Sequence, residues 1–137
     1  MNAQNEASTA ERGLPLILRN MKKAFGKNIT GPIRQQEREF KASTKPIFLD
    51  DIAKFLAVRG VTKLQGITTW RKKEEIALAY HFIFSHGKKG LDSSLSIIAF
   101  ILPKQDQEIP SLQKIFPIAR MYEEDIRKKF QIRFTLE

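Results

Sequence analysis

The sequence predicts an α+β fold: a small, mostly antiparallel sheet packed by helices, preceded by a basic extended N-terminal arm. Three observations carry that prediction. Ile76, Leu78, Tyr80, Phe82 and Phe84 alternate cleanly, as in a strand with one buried face. The run "SSLSIIAFILP" is apolar on both faces towards its end, which suits a central strand. Ile118, Tyr122, Ile126 and Phe130 recur every four residues, a narrow apolar stripe on a helix.

Taken in order, residues 1–45 form the arm, with nine Lys or Arg against four Asp or Glu. Within it Leu14, Ile17, Leu18, Met21 and Phe25 follow helical spacing, Pro15 suits a first turn and Gly26 a stop. The expectation is a short amphipathic helix with Arg19, Lys22 and Lys23 on its polar side. It either packs on its own domain or lies on a membrane or partner. Residues 26–45, with two Gly, one Pro and many polar residues, read as an extended arm or linker. The folded domain is then expected over 46–137.

It starts at "FLDDIAKFLAVRG", where Asp50 or Asp51 can cap a helix that turns Ile52, Phe55, Leu56 and Val58 inward and ends at Gly60. "VTKLQGITTW" and "EIALAYHFIFSH" are rich in β-branched and aromatic residues and read as strands, with "GKKG" at 87–90 as the turn to the next. A polar loop, KQDQE, follows Pro103. Pro110 and Pro117 each suit the start of a helical turn, and a longer helix follows to about Phe130. In that helix Glu123, Glu124 and Asp125 precede Arg127, Lys128 and Lys129 by four residues each. Helix-dipole and side-chain pairing preferences account for this order without an active site.

Composition sets the limits on chemistry. At 137 residues the chain fits one domain with a real core. Without cysteine it has no thiolate nucleophile, disulfide, cysteine-ligated zinc or cysteine-bound iron–sulfur cluster of its own. The longest apolar run, Leu95 to Leu102, falls short of the roughly 20 residues of a membrane span. The opening MNAQNEASTAERG lacks the pattern of a secretory signal, and the expectation is an intracellular protein. The net charge of +9 invites an anionic partner without choosing one.

Motifs for catalysis and cofactor binding are absent. His81 and His86 stand five apart without an acidic cluster, on opposite faces if the strand reaches both. The pairs Asp50–Asp51, Glu74–Glu75 and Glu123–Glu124 sit where caps, strand starts and helix faces explain them. No glycine loop has nucleotide-binding spacing, and Ser93, Ser94 and Ser96 stand in no nucleophile motif. The sequence therefore predicts no catalytic residue, no metal ligand and no cofactor in this chain. Trp70 followed by "RKK" leaves a basic nucleic-acid-binding module as a distant reading.

The stretch "IPSLQKIFPIARMYEEDIRKKFQIRF", with "YHFIF" at 80–84 and the strand after it, resembles the C subunit family of respiratory complex I. That family includes the corresponding small subunits of membrane-bound, energy-converting nickel–iron hydrogenases. Pro110, Ser111, Phe116, Pro117, Ala119, Tyr122, Glu123, Phe130 and Ile132 match its motif in order and spacing over a resemblance spanning about 48–134. Met121, Glu124, Asp125, Lys128 and Gln131 stand where the family usually has tryptophan, arginine, a second glutamate, aspartate and glycine. These departures resemble the short, divergent members of the hydrogenase branch.

The resemblance implies a non-catalytic assembly subunit that carries no redox centre. It implies that the subunit braces a large catalytic subunit and an iron–sulfur small subunit, which hold the nickel–iron centre and the clusters. It implies a place on the cytoplasmic face of the membrane, peripheral and held through partners, with nucleic acid not expected. Carried over by residue, the partner interface would comprise Pro110, Phe116, Pro117, Ala119, Tyr122, Glu123, Phe130 and Ile132. Phe116, Tyr122 and Phe130 would be packing anchors and Glu123 the charged contact, with the domain's own core as the alternative for the aromatics. The alternative within the same family is the equivalent small subunit of an NADH-, ferredoxin- or deazaflavin-linked quinone or phenazine oxidoreductase.

Overall fold

The computed structural model describes residues 13–85, 91–102 and 107–136. Among them are three α-helices, α1 (Leu16–Phe25), α2 (Leu49–Val58) and α3 (Ala119–Phe130). Five strands make the main sheet: β1 (Ile29–Gln36), β2 (Glu39–Thr44), β3 (Lys63–Lys72), β4 (Glu75–Ser85) and β5 (Asp92–Ile101). A small parallel pair, β6 (Glu108–Pro110) and β7 (Arg133–Thr135), brackets α3. The main sheet runs β1-β2-β5-β4-β3, antiparallel except for the β2–β5 junction, and so bears out the expected α+β class.

Alternation places the core. Ile76, Leu78, Tyr80, Phe82 and Phe84 of β4 and Leu95, Ile97, Ala99 and Ile101 of β5 are buried. Leu18 and Met21 of α1, Ile52 and Leu56 of α2, and Ala119 and Ile126 of α3 pack into the same cluster. The other face of the sheet carries Trp70, 41% exposed, with Ile98 and Phe100 half-buried beside it. β5 lies at the centre, as its two-sided apolar end predicts. The GKKG turn, His86 and most of the KQDQE loop lie outside the described residues.

Several sequence expectations are corrected. Residues 26–45 are not a linker: they hold β1 and β2, which pair as a hairpin and join the sheet through β5. The sheet thus runs across the boundary expected at residue 45. Gly31 and Pro32 obscure the strand pattern, yet both fit an edge strand. At Gly31, φ is +90° and an added Cβ would stand 2.9 Å from the Lys41 carbonyl oxygen. α2 begins after Phe48 with no side-chain cap; Asp50 and Asp51 lie in its first turn, and Asp50 pairs with Lys54 at 2.8 Å. Val58 is 82% exposed, because two residues past Leu56 is about 200° around the helix.

Candidate partner interface

The segment from Glu108 to Thr135 folds back on itself. β6 enters, β7 leaves beside it, and Ser111 N donates to the Thr135 carbonyl at 2.8 Å. Pro110 closes β6 and does not open a helical turn; the single turn lies one step on, with Ile115 N and Phe116 N both donating to Leu112 O. Pro117 then sits just before α3, where its fixed φ suits the helix entry. α3 ends at Gln131, which is left-handed at φ 56° and ψ 36° and donates its N–H to Arg127 O.

Glu123 is the buried hub of this segment. Only 3% exposed, its carboxylate accepts from the Ser111 hydroxyl at 2.6 Å and from Leu112 N at 2.8 Å. Burial pushes the carboxyl above the usual range, against the opposing pull of those donors. Burial likewise pushes the Tyr80 phenol up, with the Glu123 charge adding to it, and the Tyr80 hydroxyl has no hydrogen-bond partner among the described residues. The acids next to Glu123 behave differently: Glu124 pairs with Arg127 at 2.6 Å and Asp125 with Lys129 at 3.1 Å, both in solvent.

The motif residues divide into three sets. Phe116, Ala119, Glu123 and Ile132 are buried in the chain's own fold, Phe116 against Phe82 with ring centroids 5.4 Å apart. Within this chain these four pack inward. Pro110, Tyr122 and Phe130 are half-buried. The Tyr122 hydroxyl donates to the Gln65 carbonyl of edge strand β3 at 2.8 Å, and Arg71 stacks over the Phe130 ring at 5.4 Å. Pro117 alone of the eight is exposed.

What faces outward is different. Ile118, placed inward by the four-residue recurrence, is 43% exposed, and Met121, one turn on, is 67% exposed. With Pro117 they make an apolar ridge at the start of α3. The buried side of that helix is Ala119, Glu123 and Ile126, with Tyr122 and Phe130 at its margins. The legible signal was an acid, Glu123, at the i+4 and i−3 positions from Ala119 and Ile126.

The open sheet face carries a second polar link. His81 Nε2 meets Thr68 Oγ1 and its Nδ1 meets Ser96 Oγ, each at 2.8 Å, so one imidazole bridges β3, β4 and β5. Half-burial lowers its pKa. Among the described residues, no group of three or more His, Asp or Glu gathers as a metal site would require. No described helix is long and apolar enough to cross a membrane.

Residues 42–136 match the family model described as "Respiratory-chain NADH dehydrogenase, 30 Kd subunit". No protein of curated function matches the sequence. Among solved structures, the fold is similar to a chain of the membrane-bound sulfane sulfur reductase, an archaeal respiratory membrane complex. That similarity has TM-score 0.71 and 21% identity and covers 86% of this chain and 68% of that one. It is also similar to a trypsin-resistant fragment of Nqo5, with TM-score 0.64, 16% identity and coverage of 84% and 90%.

Proposed function

The chain belongs to the family of the 30 Kd subunit of respiratory-chain NADH dehydrogenase, and from that premise we propose that it is a non-catalytic assembly subunit of a complex I-like, membrane-bound nickel–iron hydrogenase. In this role it braces a large catalytic subunit and an iron–sulfur small subunit in the cytoplasmic arm and reaches the membrane through them. The nickel–iron centre and the clusters belong to those partners. The observation that carries the complex I-like subunit reading is the family match, which runs from within β2 through β5 and the whole C-terminal segment. The hydrogenase branch rests on the motif departures at Met121, Glu124, Asp125, Lys128 and Gln131.

The geometry supports an assembly role in a specific way. The motif residues shape the segment from within: Glu123 ties the Ser111 turn to α3, Phe116 locks it to β4, and Tyr122 ties α3 to β3. The ridge of Pro117, Ile118 and Met121 is the surface so presented. Exposed apolar side chains held on a rigid element suit a lasting protein contact.

A second reading keeps the assembly role and changes the terminal acceptor to a quinone or sulfane sulfur. The likeness to a chain of the sulfane sulfur reductase favours it.

Affinity purification of the tagged protein from its native host in mild detergent, with mass spectrometry and activity assays, tests both readings. Recovery with a nickel-site subunit, cluster-bearing subunits and membrane proteins, together with hydrogen evolution, is the expected result. An intact complex that reduces quinone or sulfane sulfur and evolves no hydrogen selects the second reading. Recovery alone, or with nucleic acid, overturns both.

A further inference from the structure

Positive charge is concentrated at one edge of the molecule. From Gly13 to Gln36 the chain has five cations, Arg19, Lys22, Lys23, Lys27 and Arg34, and no aspartate or glutamate. The apolar side of α1 is spent on the core, with Leu18 and Met21 fully buried, so the helix turns Lys22 and Lys23 outward.

Three depressions adjoin along β1 beside these cations. One of about 420 Å³ lies between α1 and β1, with Lys22 and Arg34 on its walls. It shares Gly31 and Ile33 with a second of about 240 Å³, which is floored by Ile98 and Phe100 and edged by Lys41. A third, of about 580 Å³, shares Thr30, Ser43 and Phe100 with the second and adds Lys27 and Lys45. Together they form a trough around the sheet edge, lined by five cations and by no acid.

These cations are free to meet an outside charge. None of Lys22, Lys27, Arg34, Lys41 and Lys45 forms an ion pair among the described residues. Arg34 is positioned without being neutralised: it donates to the carbonyls of Glu37 and Gly13 and stacks 5.0 Å over the Phe40 ring. Ile33, at 54% exposure, stands where the first two depressions meet.

We propose that this trough binds an extended acidic segment of a neighbouring protein, in which carboxylates alternate with aliphatic side chains. Carboxylates would meet the lysines and Arg34, and aliphatic groups would cover Ile33 and Ile98. Crossing β1, β2 and β5 alone spans roughly 10 Å at the usual strand spacing, a length suited to several extended residues. The floor is mainly aliphatic, whereas single-stranded nucleic acid favours ranks of aromatic platforms. The helix beside the trough buries Leu18 and Met21 and leaves Leu16 as its one large exposed apolar side chain, too little for the continuous apolar face of an interfacial membrane anchor. Charge of this kind chiefly speeds encounter and fixes register, so the contact will be salt-sensitive.

The proposal rests on the subunit reading in taking the segment from a partner in the same complex. The test places a photo-crosslinking amino acid at Ile33 in the tagged chain, expressed in its native host and crosslinked in intact membranes. The expected product joins Ile33 to an Asp/Glu-rich peptide of a subunit that co-purifies with the chain. Raising salt during crosslinking lowers its yield. The surface variant Lys22→Glu/Lys27→Glu/Lys41→Glu, whose fold is checked by thermal melting, lowers it at least tenfold. An intact complex with no crosslink, or one to lipid, nucleic acid or a segment without acids, overturns the trough proposal and leaves the subunit reading standing. A chain recovered alone overturns both.

Discussion

Ser111 and Glu123 are joined by a 2.6 Å hydrogen bond inside the protein, across a proline, a helical turn and the first residues of α3. This bond and the one from Leu112 N convert a charged helix residue into a structural clamp. Glu123→Ala would strand both donors and open a cavity, and the expected loss is about 2–4 kcal/mol in urea unfolding. Ser111→Ala, which removes one donor, is expected to cost about 1–2 kcal/mol.

The same carboxyl sets a pH dependence. Its folded pKa is raised, so the native state holds its proton more tightly than the unfolded chain does. The associated stability is fully present below the ordinary glutamate pKa and is lost as pH rises through the folded value. Unfolding curves across that window should show a decline in the native protein that Glu123→Gln flattens, even though the variant starts less stable for want of one acceptor.

Tyr80 offers the opposite outcome from a polar deletion. Its hydroxyl is buried without a partner among the described residues, so Tyr80→Phe removes a desolvated group and keeps the ring. The expected change lies between zero and about 1 kcal/mol of added stability, read from the thermal or urea midpoint. A loss above about 1 kcal/mol would mean that the hydroxyl is satisfied in solution.

Gln131 occupies a left-handed helix end, a conformation that costs a non-glycine residue about 1 kcal/mol or more. Gln131→Gly should therefore stabilise the chain by up to about 1 kcal/mol, the gain being reduced by glycine's greater freedom when unfolded. Gln131 is a departure from the complex I C-subunit motif, and the glycine of that motif would suit this left-handed backbone better.

Phe116 and Met121 separate core from contact surface. Phe116→Ala should cost about 3–5 kcal/mol in the isolated chain, because the ring packs on Phe82. Met121→Asp, on an exposed position, should change its stability by no more than about 0.5 kcal/mol and still reduce recovery of partners from membranes. If Met121→Asp unfolds the chain, or leaves partner recovery untouched, the ridge is not the contact.

What could be read from the sequence depended on how local the cause was. β4 declares itself because its alternation is complete within one segment, β5 because its two-sided apolar run is, and α1 because its stripe and its Gly26 stop are contiguous. β1 and β2 stay hidden because their strand character comes from pairing with each other and with β5 far along the chain, while Gly31 and Pro32 dilute the pattern. The burial of Glu123 within the motif is hidden for a related reason. Glu123, Glu124 and Asp125 have the same spacing to following bases, so that pattern does not tell them apart; the place of Glu123 on the Ala119–Ile126 face and the turn at Ser111 select it for burial. Ile118 matched the four-residue period, yet α3 packs through Ala119 and Ile126, which turns Ile118 to solvent.

The parallel junction between β2 and β5 fixes an order of events during synthesis. Phe40 pairs with Leu95, so the N-terminal hairpin leaves the ribosome more than fifty residues before the strand that receives it. Until then the inner edge of β2 has open hydrogen-bonding groups and Phe40 lacks its final neighbours, a combination prone to wrong pairing. β3, β4 and β5 can assemble among themselves as each emerges, whereas the hairpin must wait and then close a long loop. Within the main sheet, the seam that waits longest for its partner runs through the interior, which makes the nascent hairpin the stretch of that sheet most in need of a chaperone's cover.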